Sequence, residues 1–409
     1  MSGPNTSTPN SPASTASTAS DAVLGVLGRT RKTDEHRVPI HPRHLERIDP
    51  SVRQRMVFEE GYGEKFGYSD AALAELDGTV TDRAGVIAAA DIVVLAKPLL
   101  ADVAELRDGQ TLWGWPHCVQ DRELTQLAID KRLTLIAFEA MNHWATDGGF
   151  SLHVFHQNNE LAGYSSVLHS LALTGVTGDY GRRLSAVVIG FGATARGAVT
   201  ALKAHGISDV RVLTNRKVAS VAAPIHSAQM IQFDHDGGPY LSEVITDDGR
   251  LPLAPFLAES DIVVNCTLQD PNDPLLYLRT ADLEAFHPGS MIIDVSCDEG
   301  MAFEWARPTS FADPMFTVGP NVTYYSVDHS PSYLWNSASW EISDALLPFL
   351  DTVMGGPAAW AGSETITRAV EVRDGVVQNP AILAFQGRAG AYPHGPVGAD
   401  AGLGTAVSA

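Results

Sequence analysis

The segment LSAVVIGFGATARGAV, residues 184–199, restricts the possible fold more than any other part of the chain. An apolar run of the kind that forms a buried strand leads into Gly190-x-Gly192-x-x-Ala195, and an alanine-rich helical stretch follows. In such a motif the first glycine permits a tight turn, the second lets the backbone approach a pyrophosphate, and the small third residue lets helix and strand pack closely. The segment therefore predicts a dinucleotide site at a helix N-terminus, with a plain strand-to-helix turn as the alternative.

The next predicted strand ends in Thr214, Asn215 and Arg216. NAD-specific sites usually place an Asp or Glu here, on the ribose hydroxyls, and this tip has none. Arg216, with Thr214 and Asn215 as hydrogen-bond donors, is suited to hold a 2′-phosphate instead. The tip predicts NADPH as the cofactor in preference to NADH, and the alternative is a solvated basic turn.

Short β-branched runs alternate with Ala- and Leu-rich helical stretches along most of the chain, a pattern typical of parallel βαβ units. Residues 158–174 between two such sets predict one long helix that ends at Gly175. A chain of 409 residues has room for about two domains. The predicted strands are 22–27, 55–58, 92–96, 111–114 and 134–137 in the first set, and 186–189, 210–214, 262–265 and 291–295 in the second.

Charge and cysteine content narrow the class of protein. The formal net charge of −20 disfavours nucleic acid and anionic membrane surfaces as partners. The three cysteines are not spaced as a metal site or a redox pair, so we expect no metal and a reduced, cytoplasmic compartment. Residues 1–20 have no charge and no apolar run, which predicts a disordered tail, and the Gly-, Ala- and Pro-rich residues 389–409 predict another.

Three further segments carry a family resemblance: TRKTDEHRVPIHP, then VVLAKP with WGWPHCV, and IIDVSCDEGMAFEWARPT. Their order resembles the alanine dehydrogenase and pyridine nucleotide transhydrogenase α-subunit family, over residues 21–388. The resemblance implies an α/β fold with two Rossmann-like doubly wound domains. A dinucleotide-binding domain, 158–325, would be inserted into a discontinuous substrate domain, 21–157 plus 326–388, and the protein would be a homo-oligomer.

The same resemblance assigns roles to individual residues. Arg37 and Lys97 correspond to the family's ligands for the carboxylate and carbonyl of a 2-oxo acid, and an Arg fork with a Lys point charge suits both groups. His117 corresponds to the proton donor, and Asp298 to the acid beside the nicotinamide. Glu139 also matches a family position, where a structural role is as plausible as a catalytic one.

One loop departs from the alanine dehydrogenases. The sequence VDHSP, 327–331, introduces Asp328 close to the expected nicotinamide site. Together with GATARG, HQNNELAG and DGVVQNPAILAFQGR, this loop resembles the carboxyethylornithine synthases of the same family. The resemblance implies NADPH-dependent condensation of a pyruvate-like 2-oxo acid with the amine of an ornithine- or lysine-like amino acid.

On that interpretation Asp328, together with Glu341 or Asp344, would recognise the ammonium group of the amino acid. Structural salt bridges are an equal alternative for these acids. Two other functions stay open. One is reductive amination of a 2-oxo acid with ammonia, and the other is a nucleotide-binding regulatory protein without catalysis.

Overall fold

The computed structural model describes residues 22–216, 225, 228–235, 241–247, 249–269 and 274–397. The predicted tail at residues 1–20 lies outside the described residues, as do residues 398–409. The described strands are β1 Leu24–Val26, β2 Met56–Glu59, β3 Thr79–Thr81, β4 Ile92–Leu95, β5 Thr111–Gly114, β6 Thr134–Ala137, β7 Asn142–Trp144, β8 Phe150–His153, β9 Ser185–Ile189, β10 Asp209–Thr214, β11 Gln229–Asp234, β12 Glu243–Thr246, β13 Gly249–Pro252, β14 Ile262–Asn265, β15 Leu276–Leu278, β16 Met291–Asp294, β17 Ala302–Phe303, β18 Met315–Val318, β19 Val322–Tyr325, β20 Val370–Arg373 and β21 Val376–Val377.

Helices lie between many of these strands. The α-helices are α1 Pro50–Arg53, α2 Asp70–Glu75, α3 Arg83–Ala89, α4 Leu100–Glu105, α5 Arg122–Asp130, α6 His156–Thr174, α7 Ala193–Ala204, α8 Leu253–Ala258, α9 Trp335–Leu346, α10 Leu350–Met354, α11 Gly356–Trp360, α12 Glu364–Ala369 and α13 Pro380–Gln386. Short 3₁₀ helices lie at Pro42–Arg47, Glu64–Phe66, Phe138–Ala140, Thr280–Ala285, Ser330–Leu334 and Leu347–Phe349. No helix of the described ranges is long and apolar enough to cross a membrane.

The first large sheet has the strand order β21-β20-β6-β5-β4-β1-β2-β3, in which β1 to β6 are parallel and β20 and β21 add an antiparallel edge. Its strands are apolar on both faces because helices cover both. On β4, for example, Ile92 and Val94 enter one hydrophobic cluster, and Val93 and Leu95 enter the cluster on the opposite face. The late helices α9 and α10 pack into the first of these clusters.

The second large sheet repeats this topology, in the order β13-β12-β11-β10-β9-β14-β16-β19-β18. Strands β9, β10, β11, β14, β16 and β19 are parallel, and the edges are antiparallel. In each sheet the first strand lies beside the fourth parallel strand, which is the doubly wound arrangement. The predicted fold class is therefore confirmed, with strands from both ends of the chain in the first sheet and the second sheet formed between them.

The long predicted helix is confirmed as α6, which ends at Gly175 in a left-handed conformation with φ 67°. This helix packs very closely on α7, the helix that follows the glycine motif. A Cβ atom on Gly163 of α6 would lie 1.9 Å from the backbone oxygen of Thr194, and a Cβ on Gly197 of α7 would lie 1.8 Å from that of Glu160. Two glycines thus let the two backbones touch and fix α7 against the connecting helix.

The predicted disorder at residues 389–409 is wrong for residues 389–397. His394 is completely buried, and its Nε2 accepts a hydrogen bond from the backbone N–H of Val377 at 3.0 Å. The buried Arg388 guanidinium donates to the side chain of Gln126 and to the carbonyl of His394. Composition predicted disorder because glycine, alanine and proline dominate this segment, but one buried histidine and one buried arginine hold it on the first sheet.

Candidate functional site

The glycine motif forms the predicted turn between β9 and α7. Gly190 has φ 114°, which side chains rarely adopt, and a Cβ there would lie 2.9 Å from the backbone oxygen of Cys266 on the neighbouring β14 connection. Gly192 is the N-cap of α7, and a Cβ there would have nothing within 4 Å, so this side of the turn is open. Ala195 is fully buried under the turn. The three positions have the geometry that a dinucleotide turn requires.

This turn opens onto a cavity of about 830 Å³ that both lobes line. The second lobe contributes Gly190, Gly192 and the tip of β10, and the first contributes Glu139 and Asn142. Pockets of this size hold extended cofactors. The volume, the open glycine turn and the start of a twelve-residue helix fit a nicotinamide dinucleotide.

At the tip of β10, Thr214 is buried and accepts a hydrogen bond from the backbone N–H of Arg216 at 3.2 Å. Asn215 and Arg216 are exposed and line the cavity. The described tip carries one positive side chain and no carboxylate, as the sequence shows. The following residue, Lys217, lies outside the described residues.

Arg37 follows β1 in the first lobe and is buried. Glu35 accepts hydrogen bonds from its Nε at 2.8 Å and its Nη2 at 2.5 Å, and Asn158 of α6 accepts a longer one from Nη1 at 3.3 Å. The guanidinium also lies 5.4 Å from the ring centre of Trp115. Burial raises the pKa of Glu35, but the Arg37 charge and hydrogen bonds outweigh burial and hold that pKa at about 2. The pair is therefore ionised and rigid.

Lys97 follows β4, the neighbour of β1 at the point where the strand order of the first sheet reverses. Its carbonyl oxygen accepts a hydrogen bond from Thr30 Oγ1 at 2.6 Å, which joins the two strand ends. Burial lowers the pKa of Lys97, as do the charges of Arg37 and Lys32, while Asp328 opposes this shift. These four charged groups therefore lie close enough to act on one another.

His117 lies in the same group, after β5, in a left-handed conformation with φ 49°. Its backbone N–H donates to Glu139 Oε1 at 2.7 Å, and its ring Nδ1 lies 3.9 Å from the same oxygen. Burial of the imidazole, together with the nearby Lys97 charge, lowers the pKa of His117 to about 3. Because 43% of the side chain is still accessible, the neutral imidazole is open to the space beside Glu139, which lines the large cavity; we call this space and the cavity together the cleft.

Asp328 follows β19, where the chain leaves the second lobe and returns to the first, and it contacts these cations. Its carboxylate pairs with Lys32 Nζ at 2.6 Å and with His329 Nδ1 at 2.6 Å. These hydrogen bonds, with the charge of Lys97, hold the pKa of Asp328 well below its usual range although burial raises it. About 29% of the Asp328 side chain remains accessible. The new charge in this loop is therefore an ionised carboxylate at the cleft.

The second lobe reaches this group through the loop after β16. Burial raises the pKa of the Cys297 thiol, and the charges of Asp328, Lys97 and Asp298 also act on it. Burial raises the pKa of Asp298 itself. The predicted residues Arg37, Lys97, His117 and Asp328 thus lie close together. Asp298, on the second lobe, lies beside them at the border between the two lobes.

Two of the predicted ammonium ligands are located elsewhere. Asp344 forms a half-exposed ion pair with Arg47 at 2.6 Å. Glu341 lines a separate cavity of about 200 Å³ between α6, α7 and α9. We therefore do not propose Asp344 or Glu341 as a ligand of the ammonium group. Sequence reasoning in turn missed Glu35 and Lys32, which partner Arg37 and Asp328, although both lie within the motif TRKTDEHRVPIHP.

In the described ranges, no group of three or more His, Cys, Asp or Glu side chains is placed to hold a metal ion. The charged residues of the cleft pair with one another instead.

Comparisons with known proteins show the family to which the chain belongs. Residues 26–162 match the family described as Alanine dehydrogenase/PNT, N-terminal domain, and residues 164–380 match the corresponding C-terminal domain. The chain is 27% identical to an alanine dehydrogenase of Halomonas elongata over 344 residues, which cover 80% of this chain and 87% of that protein. It is 23% identical to an N(5)-(carboxyethyl)ornithine synthase of Clostridium botulinum, over 76% of this chain and 89% of that protein.

Solved structures show the same fold. An L-alanine dehydrogenase aligns with a TM-score of 0.70 at 19% identity, covering 88% of this chain and 98% of that one. A transhydrogenase from Sinorhizobium meliloti aligns with a TM-score of 0.66 at 20% identity, covering 88% of this chain and 99% of that one.

Proposed function

Because the chain belongs to the alanine dehydrogenase/PNT family of nicotinamide-nucleotide oxidoreductases, we propose that it reductively joins a 2-oxo acid to the amine of an amino acid, with NADPH as the reductant. The observation that carries this proposal is the ionised Asp328 carboxylate, partly accessible at the cleft beside Lys97. Arg37 and Lys97 suit the oxo acid, and a carboxylate beside them suits an ammonium group. An enzyme that takes only ammonia has less need of this charge.

Arg37 would bind the carboxylate of the oxo acid. Glu35 occupies its Nε and Nη2 edge, whereas Nη1 makes only the long bond to Asn158. An incoming carboxylate therefore meets the Nη1 side of a guanidinium that Glu35 and Trp115 already hold in place. Preorganisation of this kind lowers the entropy that binding costs.

Lys97 and His117 would act on the carbonyl. The Lys97 ammonium donates to the carbonyl oxygen and makes the carbon more electrophilic, so that the free amine of the second substrate adds to it. His117 is neutral in the cleft and therefore takes each of the two protons that the adding nitrogen releases and passes it to the oxygen, which leaves as water after the second transfer. The product of these steps is an imine, and bound NADPH supplies the hydride that reduces it.

Two carboxylates would stabilise the positive charge on nitrogen. Asp298 lies at the border between the lobes, where burial raises its pKa and makes a nearby cation favourable. Asp328 would hold the ammonium group of the amino acid, in competition with Lys32, to which it is now paired at 2.6 Å. When the substrate ammonium replaces the Lys32 ammonium beside Asp328, this carboxylate keeps one positive partner.

An assay of NADPH oxidation tests the proposal, with pyruvate and related oxo acids crossed against ornithine, lysine and ammonia, and mass spectrometry of the products. We expect a secondary amine product, and an Asp328→Asn variant should raise the apparent KM for the amino acid about tenfold while that for the oxo acid changes little. Asp344→Asn is the matched control, because it removes an equal charge from an exposed ion pair. Equal rises in both KM values would contradict the role of Asp328.

Reductive amination with ammonia is the second candidate. It is favoured by the similarity to alanine dehydrogenases, which reaches 27% identity over 80% of the chain. The same Arg37, Lys97 and His117 would serve it, since the oxo acid is common to both reactions. Free alanine as the product with ammonia, and no turnover with ornithine or lysine, would establish this reaction in place of the first.

A further inference from the structure

Two carboxyl groups lie close to the loop that carries His117 and Cys118. Glu139 follows β6, and Glu371 belongs to β20, the antiparallel neighbour of β6, where Val370 lies opposite Ile136. Glu371 is only 3% exposed. About 27% of the Glu139 side chain is accessible. The strand pairing therefore brings two acids from distant parts of the chain close enough for their charges to interact, with Glu371 buried and Glu139 at the edge of the cavity.

Each carboxyl uses one oxygen in a fixed contact. Oε1 of Glu139 accepts the backbone N–H of His117 at 2.7 Å, and Oε1 of Glu371 accepts the side-chain amide of Asn379 at 3.0 Å. The Oε2 atoms of both are buried and have no hydrogen-bond partner within the described ranges. Two buried carboxylates with unpaired oxygens would carry a large desolvation cost, which one proton relieves by making one group neutral.

The neighbouring groups supply little compensating positive charge. Glu139 faces the neutral His117 ring, and the Lys97 ammonium is the one cation among the main influences on its ionisation. Its backbone oxygen contacts the His153 ring at 3.3 Å. The Cys118 thiol faces both carboxyls and is itself buried. Burial and the charge of Glu371 raise the pKa of Glu139, and burial raises the pKa of Glu371, so Lys97 does not offset the repulsion.

We propose that Glu139 and Glu371 share one proton at neutral pH, and that Glu371 is a positioning residue that keeps the carboxyl beside His117 uncharged. Two like charges in one desolvated site do not both ionise, and this physical reason holds for any pair of acids so placed. Since Glu139 lines the large cavity as well, the nicotinamide end of the cleft also faces a neutral group.

The consequence concerns His117. Its Nδ1 lies 3.9 Å from Glu139 Oε1, so an ionised Glu139 would stabilise the imidazolium. A Glu371→Gln variant is close to isosteric. Its amide oxygen can still accept from Asn379, and the variant removes the competing charge of Glu371, so Glu139 would ionise. At this distance the new charge raises the pKa of His117 by on the order of one unit in a solvent-accessible cleft.

Infrared spectroscopy of the full-length protein tests the shared proton without any substrate. We expect the C=O stretch of a protonated carboxylic acid at neutral pH, which disappears in alkali, and we expect Glu371→Gln to lack it at neutral pH. Glu123→Gln, which removes an exposed carboxylate from α5 in the same lobe, should retain it. Absence of this band from the unmodified protein, or its persistence in Glu371→Gln, would overturn the shared proton.

The pH dependence of kcat/KM gives the second readout, and this part rests on the proposed role of His117. The apparent pKa of the acidic limb should rise by about one unit in Glu371→Gln and stay unchanged in Glu123→Gln. An unshifted profile in a folded, active Glu371→Gln variant would refute the positioning role. Because the infrared result does not need turnover, it separates failure of this inference from failure of the proposed reaction.

Discussion

The contact between α6 and α7 gives the sharpest prediction for stability. In a Gly197→Ala variant the new Cβ would lie 1.8 Å from the backbone oxygen of Glu160. Ordinary van der Waals contact begins at 3.4 Å, so the two helices must separate by about 1.6 Å. Because the obstacle is backbone on a packed helix and not the end of a flexible side chain, rotamer changes do not relieve it.

The expected magnitude follows from two opposing effects. Overpacking typically costs about 1–3 kcal/mol, and a backbone clash belongs at the upper end of that range. Alanine in place of a helical glycine returns about 1 kcal/mol. We therefore expect the free energy of unfolding to fall by about 2 kcal/mol.

Urea unfolding followed by circular dichroism measures this loss, and Thr200→Ala is the control, since it makes a similarly small change at an exposed position of the same helix, one turn from Gly197, without adding an atom to the helix contact. The variant should also bind NADPH more weakly, because α7 carries the glycine turn. If Gly197→Ala is as stable as Thr200→Ala, the close helix contact does not exist in solution.

The remaining predictions concern the cofactor and the buried ion pair. Gly190→Ala places a side chain at φ 114° and should weaken binding of NADPH and NADH alike by about tenfold or more in fluorescence titrations, and unchanged affinity would argue against the turn. Arg216→Ser should weaken NADPH by about tenfold and leave NADH nearly unchanged, and equal losses would contradict a 2′-phosphate contact. The pKa of Glu35 falls from 4.5 to about 2 on folding, so its pairing with Arg37 stabilises the protein above about pH 4.5 and this stabilisation is lost as the pH falls toward 2. The stability difference between the unmodified protein and Glu35→Gln should therefore shrink in acid, and a difference independent of pH would refute an ionised pair.

The sequence predicted the central strands well because they are buried on both faces. Strands β5, β6 and β14 have the bounds that the sequence predicts, and the other six predicted strands differ by a few residues at most. Edge strands were missed. Gly249–Pro252, for example, is exposed at all four positions and contains a proline, so it has neither an apolar run nor a strand-like composition. Such a segment forms a strand because it pairs with the neighbouring strand, and not because its own residues favour a strand.

In the candidate site, too, the sequence predicts some residues and misses others. Motifs could name Arg37, Lys97 and His117, because each follows a central strand whose end can be read from the sequence. Their partners depend on tertiary contacts. Asp328 meets Lys32 only because the returning chain packs on the first lobe. Glu371 lies in VEVR, which resembles an ordinary strand with alternating exposure, and nothing in that pattern indicates that the polar position faces another buried acid.

The charges of the cleft give a reason why the oxo acid should bind before the proton transfers begin. Arg37 is neutralised by Glu35 and Lys32 by Asp328, whereas Lys97 has no ion-pair partner among the described residues. The cleft thus carries about one uncompensated positive charge, and the Lys97 charge contributes to the low pKa of His117. A bound oxo acid anion compensates that charge, so the pKa of His117 rises, while burial, the larger cause of the shift, still holds it below its ordinary value. The imidazole is therefore a better proton acceptor when the substrate is bound than when the cleft is empty of substrate.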